Sequence, residues 1–523
     1  MAVNFYEAAN AGGRYLGGQS SILRPNGANW ARFVPSEQLN HRSGVPANIL
    51  IPDPVDTRAL ALLAKAGAAF TVLCPDSEPL TDPVAQLQAV AKADPGISVV
   101  MPFVKYQFKE PVLGMMPALQ AVCHWSTGYD NSDGAYIKNR GLAYTYAPGP
   151  LTNAMAELTT GLILDSHFRI TDSIAQEGET GIPLEYIASY PTDISSQQTF
   201  AQFLFGLFLS RVLRLQDMYE FVRSGRFVGC GVGSERTIFH DQLAMDKEAG
   251  IERTVGVLVP EEARGISSMF RGILAPRDAN PFGLKDLEIS SNIGQEHDYI
   301  IRLPFARRIN NAPNVLDPNT VTIRHGFEQN VFSGPSLTGL TLSLVGFGRI
   351  GSAVAVRAQA LGMNIVAYDP YLPQEARAGY AGVTFVDDKE SLLRQADFLV
   401  MIPKLTDETR GWLGEKELAM LKSYAAIINT SRGPVVDEGA VMAHLNSRPL
   451  ARYMADVLVD EANDTHRGLA ELANARITGH TGSAAGSRDG IEGPAVRLRM
   501  QTLAIEQNIL PIIRGEAPTH PIE

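Results

Sequence analysis

The sequence predicts an α/β protein made of two doubly wound parallel-sheet domains plus an α+β insert between them. Three observations carry this expectation. Short apolar strands alternate with helices over residues 47–166 and again over 337–477. Between these stretches, over 167–334, the alternation fades. A Gly-x-Gly-x-x-Gly turn then opens the second rhythmic stretch directly after a strand. Strands separated by helices imply crossover connections, and hence a parallel sheet covered on both faces.

Taken in order, residues 1–46 are rich in Gly, Asn and Ser and read as an extension draped over the body. Asn48 to Ile51 reads as a strand, Asp56 to Ala66 as a helix and Ala69 to Cys74 as a second strand. Gln86 to Ala93 is a helix, and Ser98 to Phe103 and Leu119 to His124 are strands. Ala154 to Ser166 is a long apolar helix. Within the insert, Phe200 to Arg223 reads as a helix, and Thr254 to Val259, Asp298 to Leu303 and Val321 to Arg324 as strands. The rhythm returns at Leu337, and Arg497 to Ile513 is a closing helix.

Composition bounds the function. The chain has 523 residues, 45% hydrophobic and 19% charged, enough for about three domains with sizeable cores. Its net charge of -11 argues against nucleic acid or an anionic membrane as a partner, since both need a basic surface. The three cysteines, Cys74, Cys123 and Cys230, fit neither a disulfide framework nor a zinc site, and no metal is expected. Cysteine usage and the lack of a signal-peptide pattern over Met1 to Gly18 point to the cytoplasm. The strongest apolar run, Phe203 to Leu209, is far too short to span a bilayer.

The chemistry-bearing residues cluster in the second stretch. The strand Leu342–Val345 runs into Gly346-Phe347-Gly348-Arg349-Ile350-Gly351 and then a helix, the context a dinucleotide fingerprint requires. Gly346 permits the tight turn, Gly348 lets backbone approach a pyrophosphate, and Gly351 lets the helix pack on the strand. The helix N-terminus would hold the phosphate charge. Asp369 follows the next strand, with seventeen residues between it and Gly351. A carboxylate there accepts bonds from ribose hydroxyls and repels a 2′-phosphate, so NAD is favoured over NADP.

Downstream, Arg432 follows the strand Ala425–Thr430, Glu461 follows the strand Tyr453–Leu458, and His480 follows Ala475–Thr478. In a parallel sheet all three emerge at one edge, where ligands of open α/β sheets bind. An arginine there can clamp a carboxylate and polarise a carbonyl. A histidine with a carboxylate partner is a general acid/base. A lone loop Arg, or a lone His before Gly, is more often an ordinary solvated residue. Convergence beside a dinucleotide site makes the chemical reading the better one. His297, His325 and His466 have no such partners at catalytic spacing and read as structural, and Cys230 reads as a turn residue.

These segments together resemble the D-isomer-specific 2-hydroxyacid dehydrogenase family. The resemblance rests on Leu342–Gly351 with Asp369, on Ile427–Glu438, on Ala455-Asp456-Val457 and on Thr478-Gly479-His480. Thr127–Asp133 and Ala147–Glu157 resemble the family's substrate-domain motifs. The resemblance implies a flavodoxin-like substrate/catalytic domain over 47–166, completed by 485–523, and a Rossmann NAD-binding domain over 335–484. The segment 167–334 would hold the insert and a connecting helix.

The same resemblance implies hydride transfer between nicotinamide C4 and C2 of a 2-hydroxyacid or 2-ketoacid. Arg432 would bind the substrate carboxylate and C2 oxygen, and His480, oriented by Glu461, would shuttle the hydroxyl proton. The backbone at Thr127 and Gly128 would meet the substrate carboxylate. Thr152 would lie near the nicotinamide and Asp456 near its carboxamide. Thr430, Arg349 and Ile350 would lie near the dinucleotide. A homodimer or higher homo-oligomer is implied.

Departures are also visible: Gly479 stands at the family's Pro, implying a looser turn at His480; Lys404 replaces another Pro, and Tyr146 a frequent Asn. An alternative reading is a non-enzymatic NAD(H)-sensing scaffold, similar to corepressors of this fold.

Overall fold

The structure is a computed structural model that describes residues 21–23, 30–35, 37–53, 55–73, 83–103, 106–168, 219, 252–258, 284–290, 297, 299–302, 320–322, 337–459, 461, 467–482 and 495–522. Apart from Tyr219, the expectation for Phe200 to Arg223 lies outside the described residues, as do those for Cys74, Cys230, His325 and His466. The chain forms two compact units. The described residues up to Leu151 join 495–522 in the first, and those from Thr152 to Gly482 form the second.

The first unit carries a seven-stranded sheet of order β1-β2-β4-β3-β5-β6-β7. The strands are β1 Ser21–Leu23, β2 Trp30–Val34, β3 Asn48–Ile51, β4 Ala69–Leu73, β5 Val99–Val100, β6 Ala121–Cys123 and β7 Ala143–Thr145. From β3 to β7 all pairing is parallel, in the doubly wound order expected of a flavodoxin-like sheet. The wholly buried pattern of β3 and β4 explains their near-continuous apolar sequences. Asp56 caps the helix Thr57–Lys65 by accepting from the Arg58 N–H. The Asp56 N–H donates to Gln501, tying that cap to the closing helical segment.

The N-terminal region does more than drape. β1 and β2 extend the sheet antiparallel beside β4. The sequence Trp30-Ala31-Arg32-Phe33-Val34 alternates, with Ala31 and Phe33 turned inward. Phe33 stacks on Phe70 at 4.7 Å, and burying such a ring contributes about 1.5–3 kcal/mol.

The second unit carries two sheets. The strands β8 Arg253–Leu258, β9 Leu284–Ser290, β10 Tyr299–Arg302 and β11 Thr320–Thr322 pair in the order β11-β10-β8-β9. Every pairing is parallel, so the described part of the insert follows α/β logic, not the segregated α+β arrangement expected of it. His297 also departs from expectation: its Nε2 meets Glu288 Oε2 at 2.9 Å.

The third sheet, also seven-stranded and wholly parallel, has the order β14-β13-β12-β15-β16-β17-β18. Its strands are β12 Thr341–Val345, β13 Asn364–Tyr368, β14 Val383–Phe385, β15 Phe398–Met401, β16 Ala426–Asn429, β17 Arg452–Ala455 and β18 Ala475–Ile477. The order reverses direction at β12, the topological switch of a Rossmann sheet. Its core packs Leu399, Ile427, Val441, Tyr453 and Ile477 among others. The helix Leu151–Phe168, read from sequence as part of the first domain, belongs to this second unit from Thr152 onward. Fourteen of its eighteen residues are buried, which is why its sequence carries so few charges.

Candidate functional site

Register places the site. Tyr368, Val345, Met401, Asn429, Ala455 and Ile477 pair in one row across the sheet. The residues that follow them therefore leave the sheet at one carboxyl edge. Among these are Asp369, Gly346, Thr430, Asp456 and Thr478, with Arg432 and His480 two positions further on.

At the switch point, Gly346 has φ +92°, and a Cβ there would meet the Ile402 carbonyl oxygen at 2.8 Å. A Cβ on Gly351 would meet the Gly346 carbonyl oxygen at 2.5 Å, so helix and turn touch through bare backbone. Gly348 differs: its missing Cβ would point into open space, and the residue is exposed. Gly348 is the N-cap of the helix Arg349–Ala360, and no side chain caps it. An uncapped helix start beside open space is a cradle for an anion. Asp369 closes one side. Its Oδ2 accepts from the Phe347 N–H at 2.8 Å and its Oδ1 from the Tyr371 N–H at 3.0 Å. One arginine does come close, from eight residues on. Arg377 donates to the Asp369 carbonyl at 3.2 Å, but its other Nη pairs with Asp387 at 2.7 Å. Arg349 is exposed and Ile350 half-buried on the first turn of the helix.

Further along the edge, Thr430 is buried, and its hydroxyl meets the Thr159 hydroxyl at 2.9 Å. Thr152 is half-buried in the first turn of that same helix. Arg432 is half-buried in extended backbone, its Nη1 donating to the Ser431 carbonyl at 2.9 Å. Gly433, beside it, has no room for any side chain: a Cβ would run into the Leu458 carbonyl group. This close approach joins the Arg432 loop to the loop that leads to Glu461.

Glu461 and His480 meet. His480 Nδ1 lies 2.8 Å from Glu461 Oε2, and Glu461 Oε1 accepts from the Leu458 N–H at 3.4 Å. An imidazole whose Nδ1–H donates to a carboxylate carries its exchangeable proton chemistry at Nε2. The side chains are 16% and 26% exposed, half-withdrawn from water. His480 is also the one non-glycine residue with positive φ among the described residues, at +56°, directly after Gly479 at +74°. Proline cannot take such a φ, so glycine is required at 479 by the turn this chain uses. The turn is bonded, not slack. The His480 N–H donates to the Asp456 carbonyl at 2.5 Å.

Asp456 is wholly buried. Its Oδ1 accepts from the Thr478 hydroxyl at 2.5 Å and the Thr481 N–H at 2.8 Å, and its Oδ2 from the Gly482 N–H at 3.0 Å. Burial pushes its carboxyl up from the ordinary value, against the pull of the His480 charge and these donors. Thr127 and Gly128 lie in the first unit, past the carboxyl end of β6. The Thr127 hydroxyl donates to the Ala147 carbonyl at 3.2 Å, and the Ala147 N–H to the Ser126 carbonyl at 3.1 Å. Sequence reading passed over Thr159, Thr481 and Arg377, and quoted Thr478 only within a motif, with no role of its own. The partners that tie them to the site are 8 to 271 positions away.

Residues 303–482 match the family model described as D-isomer specific 2-hydroxyacid dehydrogenase, NAD binding domain. A D-3-phosphoglycerate dehydrogenase of Methanocaldococcus jannaschii is 35% identical over 198 residues, 38% of this chain and 36% of that protein. A glyoxylate reductase of Thermococcus litoralis is 37% identical over 193 residues, 37% of this chain and 55% of that protein. The chain thus spans about a third to a half of the length of these two relatives. Two solved structures share the fold. The TT0316 protein of Thermus thermophilus gives a TM-score of 0.52 at 22% identity, covering 91% of this chain and all of that one. A glyoxylate reductase of Paecilomyes thermophila gives 0.52 at 18% identity, with 91% and 97% covered.

Proposed function

We propose, for a chain that belongs through its nicotinamide-dinucleotide-binding domain to the D-isomer specific 2-hydroxyacid dehydrogenase family, that it interconverts a 2-ketoacid and a 2-hydroxyacid using NAD(H). The observation that carries this reading is the His480–Glu461 pair, 2.8 Å apart, at the same carboxyl edge as the Gly346–Gly351 cradle. The dinucleotide, when bound, supplies or accepts the hydride. The chain's own residues do the rest.

Gly346, Gly348 and Gly351 with the helix start at Arg349 and Ile350 hold the pyrophosphate, and Asp369 binds the ribose hydroxyls. Thr152 and Thr430 line the inner part of the cofactor site. The Asp369 carboxylate, together with the commitment of Arg377 to Asp387, favours NAD over NADP. Arg432 binds the substrate carboxylate and polarises the C2 oxygen. In reduction His480 gives its Nε2 proton to that oxygen; in oxidation it takes the proton back. Glu461 holds the imidazole in one tautomer and favours the imidazolium. Thr127 and Gly128 offer backbone to the substrate carboxylate.

The test is NADH oxidation across a panel of 2-ketoacids that includes glyoxylate and hydroxypyruvate. Turnover that falls ~10²–10⁴-fold in a His480→Ala enzyme supports the mechanism. Tight NADH binding without turnover on any ketoacid would favour a scaffold of the same fold.

A further inference from the structure

We propose that Asp456 is a positioning residue, whose buried carboxylate holds the Gly479–His480 turn and thereby sets where the His480 imidazole stands. The inference rests on His480 being the acid/base of the proposed reaction. Its structural part stands independently.

The turn needs an anchor. Two successive left-handed residues, Gly479 and His480, leave the end of β18, and the second of them carries a Cβ. A non-glycine residue in that region costs ~1–2 kcal/mol and persists only where its surroundings over-determine it. At 479 a proline ring, which would stiffen the chain, is ruled out by the φ of +74°. Rigidity must come from bonds to the turn.

Asp456 supplies them from the neighbouring strand end. The Thr478 hydroxyl and the N–H groups of Thr481 and Gly482 converge on its two oxygens, so donors on both sides of His480 are held by one carboxylate. Its backbone carbonyl takes the N–H of His480 itself. On the far side, a Cβ on Gly482 would run into the Met155 sulfur and lie 3.1 Å from Asp456 Oδ2. Gly482 therefore packs closely between the helix Leu151–Phe168 and the carboxylate. A buried charge accepting several N–H and O–H bonds makes strong, short contacts. The same enclosure directs the Asp456 carboxylate to the turn, whereas the family resemblance assigns it to the nicotinamide carboxamide.

The test uses Asp456→Asn and the near-isosteric Thr478→Val in the full-length protein, with three readouts: amide hydrogen exchange of the 478–482 peptide, the Kd for NADH by fluorescence, and kcat for ketoacid reduction. The expected result for Asp456→Asn is at least tenfold faster exchange in 478–482, a kcat at least tenfold lower, and an NADH Kd within threefold of the unaltered protein. Thr478→Val should show the same pattern at about threefold. An NADH Kd that rises in step with the loss of kcat/KM, at constant kcat, would make Asp456 a cofactor ligand and overturn the proposal. Unchanged exchange over 478–482 would also overturn it. If Asp456→Asn does not fold, Thr478→Val decides, exchange within twofold of the unaltered protein being the refuting result. A protein that binds NADH without turnover would sink the dehydrogenase reading, yet exchange and Kd would still judge the anchor.

Discussion

Replacing Glu461 by Gln keeps the size of the side chain and removes its charge, so it isolates what the carboxylate does for His480. The contact is 2.8 Å long and joins side chains that are 16% and 26% exposed. A hydrogen bond to a charged group contributes about 1.5–3 kcal/mol and a neutral one about 0.5–1.5. Partial exposure favours the low end, leaving a difference of about 1 kcal/mol in favour of the imidazolium. Without that charge the imidazole should hold its proton less strongly. The consequence has opposite signs in the two directions of reaction. Reduction needs the protonated imidazole, so the alkaline limb of kcat/KM should move to lower pH. At a fixed pH above that limb the variant should be about fivefold slower, the rate equivalent of about 1 kcal/mol. Oxidation needs the neutral imidazole, so its acid limb should move down too, and the variant should outperform the parent at acid pH relative to each optimum. The assay is a pH–rate profile measured both ways on one ketoacid–hydroxyacid pair. Limbs that stay in place, or that move upward, would refute the claim that Glu461 acts through the charge of His480.

Three other perturbations follow from the same geometry. Asp369→Asn removes the charge that faces a 2′-phosphate; at near-surface dielectric such a charge is worth up to about 4 kcal/mol, so the NADPH-to-NADH ratio of kcat/KM should rise at least about tenfold in steady-state kinetics. Gly433→Ala would drive a Cβ into the Leu458 carbonyl group; about 3 kcal/mol of stability should be lost, read as a lower denaturation midpoint, because backbone on both sides must move. Burial lowers the pKa of His124 to about 3 and that of His444 to about 4, so both stay neutral in the fold at pH values where the unfolded chain protonates them. Their contribution is complete above pH ~6.5 and drains as pH falls, each costing on the order of 2–3 kcal/mol by pH ~4.5. Urea midpoints at pH 7 and 4.5 should show that loss, and His444→Gln should reduce it for the second unit.

Much of this site is visible before any coordinates, and the reason is topological. A parallel sheet sends every strand's carboxyl end to one edge, so a reader who finds the strands finds the neighbours of Gly346, Arg432 and His480. What escaped was whatever depended on a partner chosen by packing. The strand Trp30–Val34 shows its period over only five residues, too few to stand out from a Gly-rich run. Ala143–Thr145 is three residues long, and Val99–Val100 only two of the six expected. At Gly479 local reasoning suggested slack, because glycine is permissive. The turn is instead cross-linked to a carboxylate more than twenty positions upstream, a bond with no local signature.

The same sheet shows how the chain carries its long insert without disturbing the site. The helix Leu151–Phe168 rises about 1.5 Å per residue, so its eighteen residues span about 27 Å. Midway along it Thr159 meets Thr430, and one turn earlier the Met155 sulfur lies against Gly482, both at the carboxyl edge. At its end the His167 ring stands 5.6 Å from the ring of Phe398, the first residue of β15 and hence at the amino edge. The chain re-enters at Leu337, just before β12 begins at Thr341, and Leu342 pairs with Phe398. Departure and return therefore both lie at the amino edge, a full strand length from Thr430, Asp456 and Thr478. An insertion at that point leaves unbroken the strands that carry the residues of the opposite edge. For that reason the Arg432, Glu461 and His480 arrangement can coexist with a segment of well over a hundred residues between the helix and β12.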